Sequence, residues 1–163
     1  MAHDPIKDAL QMMPYGFYAI TSRHEDEVNA MVANWVMQAS FEPRLIALGL
    51  QKTSYSHNLI EAGQVFVVNI FNKADAEAIK PFTKSRYKKP DKMENAAYTE
   101  GQETDCPVLD AAAAYLECRV VGKLDLDGDH DIVVGEVIGG DVRKPAKADT
   151  SLTLVDLGWN YAG

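Results

Sequence analysis

Residues 29–58 of the chain read NAMVANWVMQASFEPRLIALGLQKTSYSHN. Apolar residues predict extended structure on both sides of a turn at Glu42–Pro43. The first half is irregular, because its apolar pattern is interrupted by Ala33, Asn34, Gln38, Ala39 and Ser40. The second half, residues 44–51, is a continuous apolar strand that leads into a polar turn at residues 52–56. We therefore expect an irregular strand, a tight turn and a regular strand, in that order.

The polar turn at residues 52–56 has the chemistry of an anion site. Lys52 supplies a positive charge, and hydroxyl groups come from Thr53, Ser54 and Ser56. A helix predicted from residue 53 adds backbone N–H groups at its start, where phosphate binds readily. Exposed N–H groups in the irregular strand can bond the polar edge of a flat ring. Together these features suit a phosphorylated planar ligand, and the alternative is an ordinary helix N-cap with exposed hydroxyl groups.

Away from this stretch, short strands follow one another along the chain. Further strands are predicted at residues 15–22, 64–71, 115–126, 131–142 and 152–157, and short helices at residues 5–13, 53–62 and 73–84. Gly63 is expected to end the second helix in a left-handed conformation. Residues 85–110 form a long irregular stretch, which usually has a function or covers something. Because no β-α-β alternation occurs, we predict a mostly β, antiparallel barrel with short flanking helices, in a single domain over residues 1–163.

The charge balance bears on partners. The net charge is −8, from 16 Lys and Arg against 24 Asp and Glu. Such a surface repels a phosphate backbone, so nucleic acid is not expected as a partner. Residues 80–92 run against this trend with Lys80, Lys84, Arg86, Lys88, Lys89 and Lys92. This segment is either a solvated loop face or a local attractor for an anionic cofactor such as NADPH or FMN.

Several other kinds of site find no support. No apolar run is long enough to cross a bilayer, and Cys106 and Cys118 form no CxxC pair, so we expect reduced thiols in a cytoplasmic protein and no membrane partner. Residues 125–131 resemble a calcium loop, but His130 stands where the loop needs glycine. No GxGxxG, P-loop, GxSxG or HExxH spacing occurs. We therefore predict no metal ligands and no hydrolytic site.

The quoted stretch resembles the flavin reductase-like family, whose members share an FMN-binding split barrel. In particular, residues 33–43, ANWVMQASFEP, are similar to the reductase modules of diiron flavoproteins and high-molecular-weight rubredoxins. Residues 63–71 and 110–119 resemble later family strands, and GDHDIVVGEV at residues 128–137 resembles the family signature GDH-x-x-x-x-G-x-V. The resemblance covers roughly residues 8–145. Arg44 departs from it, since many relatives have a second proline there.

The resemblance implies a site. The residues expected to bind FMN are Asn34, Trp35, Val36, Gln38 and Ser40 for the ring and ribityl chain, and Lys52, Thr53, Ser54 and Ser56 for the phosphate. His130 is the implied catalytic residue, near the nicotinamide or the flavin. Its alternative is a hairpin histidine hydrogen-bonded to Asp129 or Asp131. Trp35 could equally be a core residue or a dimer contact.

The resemblance also implies an activity. It predicts an NAD(P)H:flavin oxidoreductase that takes hydride from NADH or NADPH and passes electrons to free flavin or to a partner such as a monooxygenase, a rubredoxin or a diiron protein. A homodimer is expected, with FMN at the interface and the long loop reaching the neighbour's cofactor. The alternatives are a non-enzymatic FMN electron-transfer protein of the flavoredoxin kind, and a small-molecule binding or sensing module.

Overall fold

The computed structural model describes residues 3–162, so Met1, Ala2 and Gly163 of the predicted domain lie outside the described residues. The strands are β1 (Tyr18–His24), β2 (Glu27–Ala33), β3 (Val36–Phe41), β4 (Arg44–Gln51), β5 (Val65–Ile70), β6 (Tyr98–Glu100), β7 (Pro107–Leu109), β8 (Ala114–Leu124) and β9 (His130–Val142). The helices are α1 (Pro5–Leu10) and α2 (Tyr55–Gly63), with 3₁₀ helices at Lys73–Phe82 and Leu154–Leu157.

Seven of these strands form one sheet in the order β2-β1-β5-β8-β9-β4-β3. Every neighbouring pair in it is antiparallel. Strands β6 and β7, inside the long irregular stretch, pair separately. The predicted mostly β, antiparallel fold with short helices is therefore confirmed. Within residues 3–162, no helix is both long enough and apolar enough to span a membrane.

Side chains from widely separated strands meet in one core. Ile20 of β1, Leu48 of β4, Phe66 of β5 and Val133 of β9 belong to a single cluster, and each is at most 2% exposed. The sheet therefore curls around them, and burial of each side chain contributes about 1.5–3 kcal/mol. Gly135 leaves room for this packing, because a Cβ at that position would lie 2.7 Å from the Phe66 ring.

A second cluster attaches the later segments to this barrel. Phe71, Ile79, Leu109 and Leu152 pack together, and each is at most 1% exposed. The cluster thus joins the end of β5, the first 3₁₀ helix, strand β7 and the C-terminal segment. Both cysteines are buried free thiols, and burial raises the pKa of each to about 12.

The extended segment predicted at residues 28–41 is two strands separated by Asn34 and Trp35. The break stays close to β4, because the Gly49 N–H donates to the Trp35 carbonyl oxygen at 2.8 Å. A Cβ at Gly49 would lie 3.0 Å from the Trp35 Cβ. Glycine at this position therefore lets the indole lie directly against β4.

The predicted helix ends need correction. The helix predicted at residues 73–84 is a 3₁₀ helix, with non-helical dihedral angles at Asp75 and with Pro81 inside it. The left-handed residue after α2 is Gln64, at φ 59°, rather than Gly63. Gly63 has a different reason to be glycine, since a Cβ there would lie 2.0 Å from the Arg23 carbonyl oxygen. The first helix ends at Leu10 rather than residue 13.

The strand predicted at residues 152–157 is wrong. Leu152 and Leu154 are both buried, which imitates the alternation of a strand. Pairing in this segment is limited to isolated bridges from Ser151 and Thr153, and the chain then turns into a 3₁₀ helix. The apolar pattern thus reflects anchoring to the second cluster.

Candidate functional site

A cavity of about 770 Å³ lies between the break that separates β2 from β3 and the start of α2. Sites for small molecules and cofactors have volumes of roughly 300–1,000 Å³. Its wall includes Asn34 and Trp35 from the break and Thr53, Ser54 and Ser56 from the polar turn. The two sequence features predicted to serve one ligand therefore face the same cavity.

Asn34 lines this cavity and carries an unsatisfied polar atom. The residue is only 9% exposed, and its amide nitrogen has no hydrogen-bond partner among residues 3–162. A buried donor without a partner costs about 1–3 kcal/mol. An acceptor on the edge of a ligand in the cavity would remove that cost, so the amide fits the polar edge of a flat ring.

Trp35 stands between two other aromatic rings of the cavity wall. Its ring centroid lies 4.7 Å from that of His130 and 4.9 Å from that of Tyr161, both in edge-on geometry. Pairing of His130 with Gln51 brings the β8–β9 hairpin to the end of β4. The His130 Nδ1 also lies 2.8 Å from Asp129 Oδ1, and this hydrogen bond lowers the pKa of Asp129. His130 is therefore both a cavity residue and a hairpin histidine.

The hydroxyl groups of the polar turn have different surroundings. Ser54 is the N-cap of α2, where its Oγ accepts from the His57 N–H at 3.1 Å. The Ser56 hydroxyl is buried and accepts from Asn29 Nδ2 at 2.9 Å. Thr53 is exposed on the cavity wall. Because the first N–H groups of a helix have no partner within it, the start of α2 adds donors to the three hydroxyl groups.

Four residues predicted to bind the ligand do not line the cavity: Val36, Gln38, Ser40 and Lys52. The Gln38 amide instead donates to the Ser40 carbonyl oxygen of the same strand at 3.2 Å. The Lys52 ammonium lies 2.6 Å from Asp125 Oδ1 and 3.8 Å from Asp131 Oδ1. The hydrogen bond to Asp125 raises the Lys52 pKa. The charge of Lys52 is thus directed at the hairpin.

The basic segment supplies the cations that do line the cavity: Lys84, Arg86 and Lys92. The Arg86 guanidinium donates to the Val28 carbonyl oxygen at 2.8 Å and lies 5.1 Å from the centre of the Tyr55 ring. Lys92 is only 5% exposed and donates to the Lys84 carbonyl oxygen at 2.7 Å. Burial, and then the charge of Arg86, lower the pKa of Lys92 to about 8. Part of the basic segment therefore lines the cavity, as an attractor for an anionic cofactor would.

The C-terminal segment contributes cavity residues that the sequence analysis missed. Trp159, Asn160 and Tyr161 all line the wall. They follow the second 3₁₀ helix, beyond residues 8–145, over which the sequence motifs resemble the family. The available signal was two aromatic residues in a short polar stretch, which by itself predicts no site.

Three potential metal ligands, His57, Glu61 and Asp131, have atoms within 4.8 Å of one another. His57 Nε2 lies 2.6 Å from Asp131 Oδ2. The ammonium groups of Lys52 and Lys123 lie 3.8 Å from Asp131 and 2.7 Å from Glu61, respectively. Because these groups already neutralise the carboxylates and would repel a divalent cation, the geometry favours an ion-pair network.

The comparison with protein families gives one match to this chain. The family described as flavin reductase like domain matches residues 10–161. This range contains the break between β2 and β3, the start of α2, the basic segment and the cavity residues of the C-terminal segment.

Relatives and a solved structure agree with that match. Diflavin flavoprotein A 1 of Synechocystis sp. is 30% identical over 139 residues, which are 85% of this chain and 24% of that protein. The high molecular weight rubredoxin of Moorella thermoacetica is 34% identical over 131 residues, 79% of this chain and 56% of that protein. The chain thus spans about a quarter of the diflavin flavoprotein. A flavin reductase complexed with NADP⁺ superposes with a TM-score of 0.74 at 26% identity, over 87% of each chain.

Proposed function

The chain belongs to the flavin reductase-like domain family, and from this premise we propose that it binds FMN and acts as an NAD(P)H:flavin oxidoreductase. Membership supports flavin-related redox chemistry. One observation carries the finer proposal: a single cavity is lined both by Asn34, whose amide nitrogen has no partner within residues 3–162, and by Thr53, Ser54 and Ser56 at the start of α2. A flat polar ring and an anionic tail would each find their donors there.

The residues present fit FMN as follows. The Asn34 amide would donate to the polar edge of the isoalloxazine ring, beside the backbone of Trp35. The phosphate would accept from Thr53 and from the first N–H groups of α2. Arg86 lies on the cavity wall and would supply the charge that the sequence analysis assigned to Lys52.

When bound, FMN supplies the redox chemistry, taking up hydride from a reduced nicotinamide and delivering electrons to the acceptor. The protein contributes position and environment. Trp35 and His130 would form the wall beside the ring and exclude water from it. His130 keeps a fixed orientation through its bond to Asp129, and would orient the donor.

The similar proteins support the choice of donor and partner. The flavin reductase of known structure is complexed with NADP⁺, so a pyridine nucleotide is the proposed donor. The match to a high molecular weight rubredoxin covers 56% of that protein. A protein electron acceptor, such as a rubredoxin, a diiron protein or a monooxygenase, is therefore proposed for this chain too.

We also propose that the chain forms a homodimer. Strand β3 is at the edge of the large sheet, and it exposes two large apolar side chains, Met37 at 63% and Phe41 at 86%. Exposed apolar groups on a sheet edge favour association. Light scattering on the wild type and on Phe41→Glu tests this, and a monomeric wild type would contradict it.

The proposed activity is tested by anaerobic reduction. The protein is saturated with FMN, freed of unbound flavin, and mixed with NADH and with NADPH in turn. Rapid bleaching of the flavin spectrum with either nucleotide is the expected result. Bound flavin that neither nucleotide reduces would indicate an electron carrier, and failure to take up FMN would indicate a different small-molecule module. The same nucleotides mixed with free FMN give the uncatalysed rate.

A further inference from the structure

Residues 159–161 bring two aromatic rings to the cavity on a firmly anchored segment. Leu154 at the start of the 3₁₀ helix is only 6% exposed, and a capping box between Thr153 and Asp156 closes the helix start. Gly158, at φ 71°, then reverses the chain, and its N–H donates to the Val155 carbonyl oxygen at 3.0 Å. The side chains that follow line the cavity.

The segment is held on both sides. The Trp159 ring lies edge-on to Phe17, with centroids 5.7 Å apart. The Asn160 side chain accepts a hydrogen bond from Gln11 at 3.3 Å. The Tyr161 ring lies edge-on to Trp35 at 4.9 Å. These contacts give the two aromatic rings defined positions on the cavity wall.

Both rings nevertheless keep a large exposed surface: Trp159 is 43% exposed and Tyr161 is 41% exposed. Their known contacts are edge-on. Aromatic rings gain from burying such surface against another flat ring, in an offset-stacked or an edge-on arrangement. The chemistry of this part of the wall therefore suits a second planar group.

The aromatic residues Trp159 and Tyr161 come from the C-terminal segment of the cavity wall. The cations Lys84, Arg86 and Lys92 come from a different segment of the wall, together with the start of α2. Under the proposed function, the ring of a flavin bound by its phosphate at α2 lies beside Trp35. Tyr161 therefore suits a ring other than that of the resident flavin.

We propose that Tyr161, assisted by Trp159, forms the binding surface for the electron donor, a pyridine nucleotide whose nicotinamide ring packs against the tyrosine ring. The inference rests on the proposed function and deepens it by naming donor-binding residues. Tyr161 contributes its ring surface, so phenylalanine would serve in its place. FMN affinity would not depend on it.

The test measures binding of oxidised nucleotides, which do not reduce the flavin. NAD⁺ and NADP⁺ are titrated calorimetrically into the FMN-loaded and the flavin-free wild type, Tyr161→Ala, Tyr161→Phe and the control Val155→Ala. Val155 lies in the same segment, is 72% exposed and does not line the cavity. FMN affinity is measured separately by flavin fluorescence.

The expected result is a rise of about 10-fold in the nucleotide dissociation constant for Tyr161→Ala, the scale of one lost aromatic contact. Tyr161→Phe and Val155→Ala should stay within about 2-fold of wild type, as should every FMN affinity. Equal nucleotide binding by wild type and Tyr161→Ala would overturn the inference and leave the proposed function intact. Changed FMN affinity in Tyr161→Ala, or a wild type that binds FMN and no nucleotide, would also overturn it. A wild type that binds no FMN contradicts the proposed function instead, and the flavin-free titrations still test the nucleotide surface.

Discussion

The indole ring of Trp35 lies edge-on to the imidazole of His130, with the two ring centroids 4.7 Å apart. These residues are far apart in sequence and reach each other through β4. The Gly49 N–H holds the Trp35 carbonyl, and Gln51 at the end of the same strand pairs with His130. The break between the two edge strands β2 and β3 and the turn of a distant hairpin thus meet at one cavity wall.

This placement predicts a role for His130 in flavin reduction. His130→Asn should slow anaerobic reduction of bound FMN by about 10- to 100-fold, because the donor loses an orienting group. FMN affinity should stay within about 2-fold, since another wall of the cavity supplies the proposed FMN donors. Stopped-flow absorbance measures the rate, and fluorescence measures the affinity. An unchanged rate would leave His130 as a hairpin histidine bonded to Asp129.

Replacing Asn34 should weaken FMN binding without lowering the stability of the flavin-free protein. Asn34→Ala should weaken FMN binding by about 10-fold through loss of one hydrogen bond. The flavin-free protein should be at least as stable as the wild type, since the amide nitrogen removed has no partner within residues 3–162. Fluorescence titration and denaturant unfolding measure the two effects.

Asn69 provides a matched control for that variant. Its side chain donates to the Ala19 carbonyl and to Thr21, and accepts from the Leu109 N–H at 2.9 Å. Asn69→Ala should therefore lose about 2–4 kcal/mol of unfolding free energy. The FMN affinity of the folded fraction should be retained. Wild-type FMN affinity in Asn34→Ala would remove the assignment of the ring edge.

Substitutions of Arg86 and of Lys52 should have different effects on FMN affinity. Arg86→Gln should weaken FMN binding by roughly 10- to 100-fold, the scale of a lost charge-assisted hydrogen bond. Lys52→Gln should change it by less than about 2-fold, because the Lys52 ammonium is paired with Asp125 at a distance of 2.6 Å. Riboflavin lacks the phosphate, and its affinity should be the same for both variants. A larger effect at Lys52 than at Arg86 would restore the assignment made from the sequence.

The lowered pKa of Lys92 predicts that FMN binding depends on pH. Burial lowers the pKa of its ammonium to about 8, so below that pH the group is charged and attracts phosphate. Above it the amine is neutral in the free protein and must take up a proton when the phosphate binds. The FMN dissociation constant should therefore rise as the pH is raised through 8 toward 9.5, as measured by fluorescence titration.

The matched control for this effect is Lys92→Met, which should bind FMN more weakly at pH 7 and show a flatter pH profile. Riboflavin binding should vary little with pH in either protein. A wild-type FMN profile that does not change between pH 7 and 9.5 would place Lys92 away from the phosphate.

Local chemistry explains which parts of the molecule could be predicted. The apolar runs of β4 and β5 and the acidic turn before His130 indicated strands and a hairpin, since these patterns depend on near neighbours in sequence. The cations of the cavity could not be chosen in this way. Lys52 is close in sequence to Ser54, yet it pairs with Asp125, while Arg86 reaches the cavity through the packing of a long irregular segment.

The C-terminal segment shows the same limit. Leu152 and Leu154 carry the alternation of a strand because both insert into the second core cluster. Only tertiary contacts reveal that Tyr161 then lies against Trp35. Pattern analysis therefore named Asn34, Trp35 and the hydroxyl groups that line the cavity, left the role of the basic segment open, and missed the aromatic residues of the C-terminal segment.

A crystal structure of the protein saturated with FMN tests the central claim most directly. The ring edge is predicted to accept a hydrogen bond from Asn34 beside Trp35, with the phosphate between the start of α2 and Arg86. A cavity closed by the protein's own side chains in the presence of excess FMN, or a flavin bound elsewhere on the barrel, would contradict the account.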